Sequence, residues 1–196
     1  MAKATRAEAA KHRDEVVTAA ARLFRERGSS AVSVQEVMSA AGLTHGGFYK
    51  QFASKEELTG LAVAESFDGL LSLLNQAVEE TTDVSGRRAG LLDEYLTAEH
   101  RDSPGTGCAG TAFATDATRA AADSALRRSY VEGVKRFLVE FERAMDVPDG
   151  DGEAIRRRAV FDVAAMVGAL TLARATAGDP LSEEFLTAVR GILIGA

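Results

Sequence analysis

Between Ser33 and Lys55 the chain reads SVQEVMSAAGLTHGGFYKQFASK, and four punctuation marks in that block restrict it to short helices joined by tight turns. Ser33 with Glu36 has the S-x-x-E spacing in which a hydroxyl and a carboxylate reciprocally satisfy orphan amide donors at a helix start. Gly42 stops that helix by accepting the left-handed conformation that residues with a side chain resist. Thr44 is a good N-cap for a second short helix carrying His45, Tyr49 and Lys50, and Ser54 with Glu57 repeats the capping box for a third. The outline is that of a helix-turn-helix.

The rest of the chain also reads as helix. Prolines occur only at 104, 148 and 180, strand-like alternation of β-branched residues is scarce, and Ala, Leu, Glu and Arg dominate. Thr5 with Glu8 offers a capping box for a first helix that buries Val16, Val17, Ala20, Leu23 and Phe24 and ends at Gly28, with Lys11, Arg13, Arg22 and Arg25 on the opposite face. A long helix follows from Lys55 to about Glu80. After a turn from Asp83 to Gly86, further helices are expected over about 87–100, 111–119, 123–145, 153–177 and 181–194. The segment RDSPGTGCAG is a loop, and the Pro, Asp and Gly of 146–152 make a turn. The fold class is therefore all-α, with about nine helices and no internal repeat.

A chain of 196 residues, 46% of them hydrophobic, can bury a real core. No apolar run approaches bilayer length and the N-terminus lacks an apolar signal core, so the expected location is cytoplasmic, with no membrane partner. The net charge of -6 is unevenly placed: residues 1–55 hold nine Lys/Arg against five Asp/Glu, and the remainder 14 against 24. A basic N-terminal quarter on an acidic body suits a small phosphate-facing module attached to a body that does not touch nucleic acid.

In a helix-turn-helix the second helix enters the major groove, so it needs an inner packing face and an outer hydrogen-bonding one. Val34, Val37, Met38, Leu43 and Phe48 suit the first; Gln35, Thr44, His45, Tyr49 and Lys50 suit the second. Gly46 and Gly47 each cost a helix interior about 1 kcal/mol relative to Ala, and close approach of backbone amides to DNA phosphates is the expected compensation. His45 has no second His, Cys or clustered carboxylate at ligand spacing, so no metal is expected. Three histidines, at 12, 45 and 100, form no readable Ser/His/Asp, Cys/His or paired-carboxylate arrangement, so neither an enzyme nor a cofactor is expected.

The stretch AAGLTHGGFYKQFASKEEL, its helix entry at Ser33 and the chain length resemble the N-terminal domain of tetracycline-repressor (TetR) family transcriptional regulators, over residues 12 to 62. The resemblance implies a DNA-binding domain over 1–54 and an effector-binding and dimerisation domain over 55–196. It implies a homodimer that represses from a palindromic, double-stranded operator until a small-molecule effector releases it. Carried over by position, Ser33 and Gln35 meet phosphate and groove, Thr44, His45, Gly46 and Gly47 lie along the recognition-helix start, Tyr49 and Lys50 face backbone or base edges, and Lys55 meets phosphate. Met38 stands where many members have alanine.

In the body, Phe67, Leu70, Leu71, Leu74 and Leu91, together with Tyr95, Phe113, Tyr130, Val134 and Phe137, are candidates for an effector pocket, each also suited to plain core. A stripe of Phe161, Ala165, Gly168 and Leu172, followed by Phe185, Val189 and Ile192, suits a dimer surface through close helix approach. Cys108, the lone cysteine, follows Pro104-Gly105-Thr106-Gly107 near a helix start. It reads as a small buried hydrophobe, with a reactive, sensing thiol as the alternative; its loop resembles one in a TetR branch where a Gly-Cys pair opens the sixth helix. The competing function is a helical ligand- or thiol-sensing protein without useful DNA affinity.

Overall fold

The computed structural model describes residues 6–80, 84–145 and 151–195, with the side chains of 77, 78, 80, 84 and 85 excepted. The sequence-expected cap at Thr5 and the turn residues Asp83 and 146–150 lie outside the described residues. Within them the chain is all-α: α1 (Arg6–Arg27), α2 (Val34–Ala40), a 3₁₀ turn (His45–Lys50), α3 (Lys55–Glu80), α4 (Val84–Tyr95), α5 (Ala98–Asp102), α6 (Ala109–Arg119), α7 (Ala125–Ala144), α8 (Gly152–Ala175) and α9 (Pro180–Gly195).

Local chemistry sets these boundaries. α1 ends where Gly28 takes φ 82°, and its N–H bonds the Phe24 carbonyl. α2 opens on a complete capping box: the Ser33 hydroxyl accepts the Glu36 N–H, and the Glu36 carboxylate accepts the Ser33 N–H. It closes at Gly42, φ 71°. The helix expected over 87–100 is two helices, because Thr97 adopts an extended backbone and its hydroxyl accepts the His100 N–H, capping the short α5.

Two apolar cores meet along α3. The first joins α1, α2 and the 3₁₀ turn to the first half of α3 and to α6, through Phe24, Val37, Phe48, Leu58, Phe67 and Phe113. It runs straight across positions 54 and 55, so the N-terminal helices and the start of α3 share one packed unit. The second fills the body between α4, α7, α8 and α9, through Leu92, Phe137, Phe141, Met166, Leu170 and Leu193; Leu70 and Val134 touch both. α3 and α7 pack so closely that a Cβ on Gly133 would lie 2.2 Å from the Phe67 ring. α4 is tied to α8 by the fully buried Asp162 carboxylate, which accepts from Arg88 Nε at 2.7 Å and Arg158 Nε at 2.9 Å.

Two arginines expected on the solvent face of α1 are clamps. Arg13 donates to the Gln51 carbonyl and the Glu57 carboxylate and lies 4.4 Å from the centre of the Phe52 ring. Arg25 donates from Nε at 2.8 Å and Nη2 at 2.5 Å to the Gly105 carbonyl, in the loop before α6. Beside it, the Ser29 N–H and hydroxyl both donate to Asp116 of α6.

Candidate nucleic-acid interface and body cavity

The segment expected as a short α-helix is a single 3₁₀ stretch of six residues, His45–Lys50. Two successive glycines favour no helix interior, and the tighter i→i+3 ladder suits so short a piece. Phe48 anchors it: its ring is 1% exposed and stacks on Phe52 at 5.3 Å. In 3₁₀ geometry side chains three apart eclipse, which places Gly46 beside Tyr49 and Gly47 beside Lys50.

The outer surface of this turn is polar and open. Thr44 occupies the N-cap position, but its hydroxyl makes no cap bond. Thr44, His45, Gly46 and Lys50 are exposed, and Tyr49 is 70% exposed, its ring edge-on to Phe48 at 5.0 Å and to His45 at 6.3 Å. Gly46 has no atom within 4 Å of where a Cβ would stand, and Gly47 meets only the Met38 methyl at 3.6 Å. Neither glycine has a positive φ. Nothing inside the chain demands glycine at Gly46, which leaves its open backbone free to meet a surface outside it.

The remaining candidates differ. Gln35 is exposed. Ser33 is exposed, but its hydroxyl is committed to the capping box, donating to Glu36 at 2.8 Å. Lys55 is half-buried, with Nζ 6.0 Å from the Phe24 ring centre. Glu57 holds Arg13 and the Ala53 N–H in place of the expected reciprocal bond to Ser54, whose hydroxyl does cap the Glu57 N–H. Much of the basic excess is thus consumed internally: Arg13 by Glu57, Arg22 by Glu26, Arg27 by Glu36 and Lys11 by Glu15. Lys50 is in no ion pair among the described residues. Glu36 is held down at about 2, first by the Ser33 backbone N–H, then by its hydroxyl and Arg27.

The body contains an open cavity of about 340 Å³ between α3, α4, α5 and the loop before α6. Four of the candidate effector residues, Leu70, Leu74, Leu91 and Tyr95, line it together with Leu73. The far wall carries Glu94, Thr97, Glu99 and His100, then Ser103, Thr106 and Gly107 of the loop. Leu71, Phe113, Val134 and Phe137 do not line it: Phe113 and Phe137 are fully packed core, and Leu71 and Val134 pack against the same cores. Phe67 packs against Gly133 and the Tyr130 ring, and Tyr130 donates to the Gly110 carbonyl at 3.0 Å.

Behind the cavity His100 is locked in one tautomer. Its Nδ1 donates to the Tyr95 carbonyl at 2.8 Å, because Nε2 accepts the Cys108 N–H at 3.1 Å. Burial pushes its pKa down. Cys108 is fully buried at the N-cap of α6, its thiol beside the Tyr95 hydroxyl; burial first, and then that thiol, push the Tyr95 phenol well up.

Exposed apolar residues gather on the outer faces of α8 and α9: Phe161 is 58% exposed, Leu172 47% and Ile192 66%. Gly168 lies open on the same stripe, Ala165 is half-buried, and Phe185 and Val189 are half-buried against the body core. Among the described residues no helix is long and apolar enough to cross a membrane.

A capped helix, a glycine turn and an exposed polar 3₁₀ turn, all seated on a helical body, make a helix-turn-helix module. Residues 16–60 match the model of the bacterial regulatory proteins of the tetR family. The transcriptional repressor KstR2 of Mycolicibacterium smegmatis is 30% identical over 102 residues, 52% of this chain and 50% of that protein, so the match spans half of the relative. A TetR transcriptional regulator from Chloroflexus aurantiacus shares the fold at a TM-score of 0.76 and 21% identity, covering 96% of this chain and 95% of its own. FadR of Bacillus subtilis, solved in complex with stearoyl-CoA, does so at a TM-score of 0.66 and 14% identity, covering 92% and 97%.

Proposed function

We propose that the chain is a cytoplasmic, homodimeric transcriptional repressor that binds a palindromic operator and leaves it when a small molecule enters the body. The observation that carries the reading is the face of Thr44, His45, Gly46, Tyr49 and Lys50. These polar groups are presented outward on a turn whose inner side is pinned by Phe48 and whose glycine has no internal reason to be one. Thr44 and the open backbone at Gly46, with Gly47 next to it, suit phosphates, Tyr49 and Lys50 suit backbone or base edges, and Gln35 flanks the groove. Ser33 acts through the cap it forms, and Lys55 reaches a phosphate from its place over Phe24.

One such module has no two-fold partner, so two recognition turns about 34–36 Å apart, or a multiple of that, are needed. The open stripe of Phe161, Gly168, Leu172 and Ile192, with Phe185 and Val189 beneath it, supplies the self-complementary surface. The cavity takes the effector. Its loop carries the response: Ser103, Thr106 and Gly107 line the cavity, while Gly105 between them is gripped by Arg25 of α1. A ligand that shifts this loop pulls on the DNA-binding helices directly, in addition to any movement of α3. Cys108 is a packing residue behind this wall.

Footprinting on DNA flanking the chain's own gene tests the reading. Protection of two symmetric half-sites, lost on Tyr49→Ala with unchanged helicity, supports it. Absence of any site-specific protection leaves a ligand-sensing protein without DNA affinity.

A further inference from the structure

The cavity has a charge character that narrows what can occupy it. One wall is apolar, made by Leu70, Leu73, Leu74 and Leu91, with Leu73 62% exposed at the mouth. The other bears the carboxylates of Glu94 and Glu99 and the hydroxyls of Thr97, Ser103 and Thr106, and among the described residues no Lys or Arg lines it. Both glutamates are exposed, and neither takes part in an ion pair among the described residues. His100 adds no positive charge, because both ring nitrogens are engaged as one donor and one acceptor and burial holds the ring neutral.

Two arginines beside this wall are committed to other groups. Arg174 stands behind Gly107, with Nε on the Arg101 carbonyl and Nη2 on the His100 carbonyl. Arg101 is held by Asp102, Glu183 and the Ser182 hydroxyl. An anionic head group entering here meets two carboxylates and no compensating donor of positive charge, which is a penalty; an ammonium head meets a complementary field.

Resting on the reading of this cavity as the effector site, we infer that it takes a cationic amphiphile, an alkyl or aryl chain against the leucines with an ammonium group between Glu94 and Glu99, rather than an acyl carboxylate or acyl phosphate. This sets the chain apart from the stearoyl-CoA complex of FadR, with which it shares the fold alone.

The chain has no tryptophan, so Leu73→Trp places a single reporter at the cavity mouth, and Thr106→Trp places a second on the loop. The full dimer is titrated with octyltrimethylammonium, octanoate and octanol, which share one chain length and differ in charge. The expected result is a fluorescence change at a concentration about fivefold to tenfold lower for the cation than for octanoate, the scale of a partly exposed ion pair. Glu94→Gln/Glu99→Gln should abolish that preference, and added salt should weaken it. Octanoate or octanol titrating either reporter as tightly as the cation overturns the cationic class while leaving the cavity an effector site. No response of either reporter to any of the three overturns both.

Discussion

Replacing Arg25 with methionine isolates the link between the cavity loop and the N-terminal helices, because the guanidinium reaches the Gly105 carbonyl across 80 residues of sequence and makes two hydrogen bonds to it. Hydrogen bonds from a charged donor are worth about 1.5–3 kcal/mol when lost, and the half-buried position of Arg25 places the pair at the lower end, about 1–2 kcal/mol. For a chain of this size that corresponds to a fall in Tm of about 2–8 °C. Methionine keeps the stem packed, so what goes is the polar grip. If the grip carries the effector signal, the ratio of operator affinity without and with ligand should fall about fivefold to thirtyfold, the equivalent of 1–2 kcal/mol of coupling. Ligand-free operator affinity should stay within about threefold, since Arg25 does not face the recognition turn. Fluorescence anisotropy on a labelled operator, with the cavity ligand at saturation, reads both quantities. A variant that melts earlier yet shows an unchanged affinity ratio refutes the relay and reduces Arg25 to a structural tie.

Three further outcomes are expected. Gly133→Ala forces a Cβ to within 2.2 Å of the Phe67 ring, so overpacking between α3 and α7 should cost about 1–3 kcal/mol by denaturant unfolding, with m unchanged; an unaltered midpoint would show that α3 and α7 are not held this closely. Ile192→Asp and Phe161→Glu should each convert the dimer to monomer by sedimentation with little loss of helicity, whereas a persistent dimer would move the interface off α8 and α9. His100 is neutral in the fold and its pKa lies below the usual 6.5, so the unfolded chain binds more protons as pH falls. Its contribution is therefore full above about pH 6.5 and is lost below it. Thermal melts at pH 7 and 5.5 should show a loss that shrinks in His100→Gln, and an equal loss in both proteins would contradict the assigned tautomer.

What could be read from sequence divides by range. The caps at Ser33, Gly28 and Gly42 depend on residues within four positions, and all stand where local chemistry puts them. Thr97 carries the same kind of signal, yet it was absorbed into one continuous helix because Leu91, Leu92, Tyr95 and Leu96 keep helical spacing up to it. Arg13 and Arg25 looked like solvated charge because their partners lie 38 and 80 residues away. The pocket shows the limit of periodicity: Leu91, Phe113 and Phe137 all sit on apolar faces, but only packing decides that Leu91 borders a cavity while Phe113 and Phe137 have none beside them. The acidic wall was invisible for the same reason, since Glu94 and Glu99 read as two of many carboxylates until α4, α5 and the loop bring them to one opening. Gly46 and Gly47 were legible as misfits, and the structure sharpens which of them has open space.

The central claim is that the 3₁₀ turn at His45–Lys50 is the DNA-reading surface of a dimer. Its most direct test is the salt dependence of operator binding for the wild-type chain and Lys50→Ala. Each lysine that neutralises a phosphate contributes about 0.9 to the slope of log affinity against log salt concentration, so a dimer losing two such contacts should show a slope shallower by about 2, with operator affinity reduced at low salt. An identical slope in wild type and variant, on an operator that both bind specifically, would place the reading surface elsewhere on the chain.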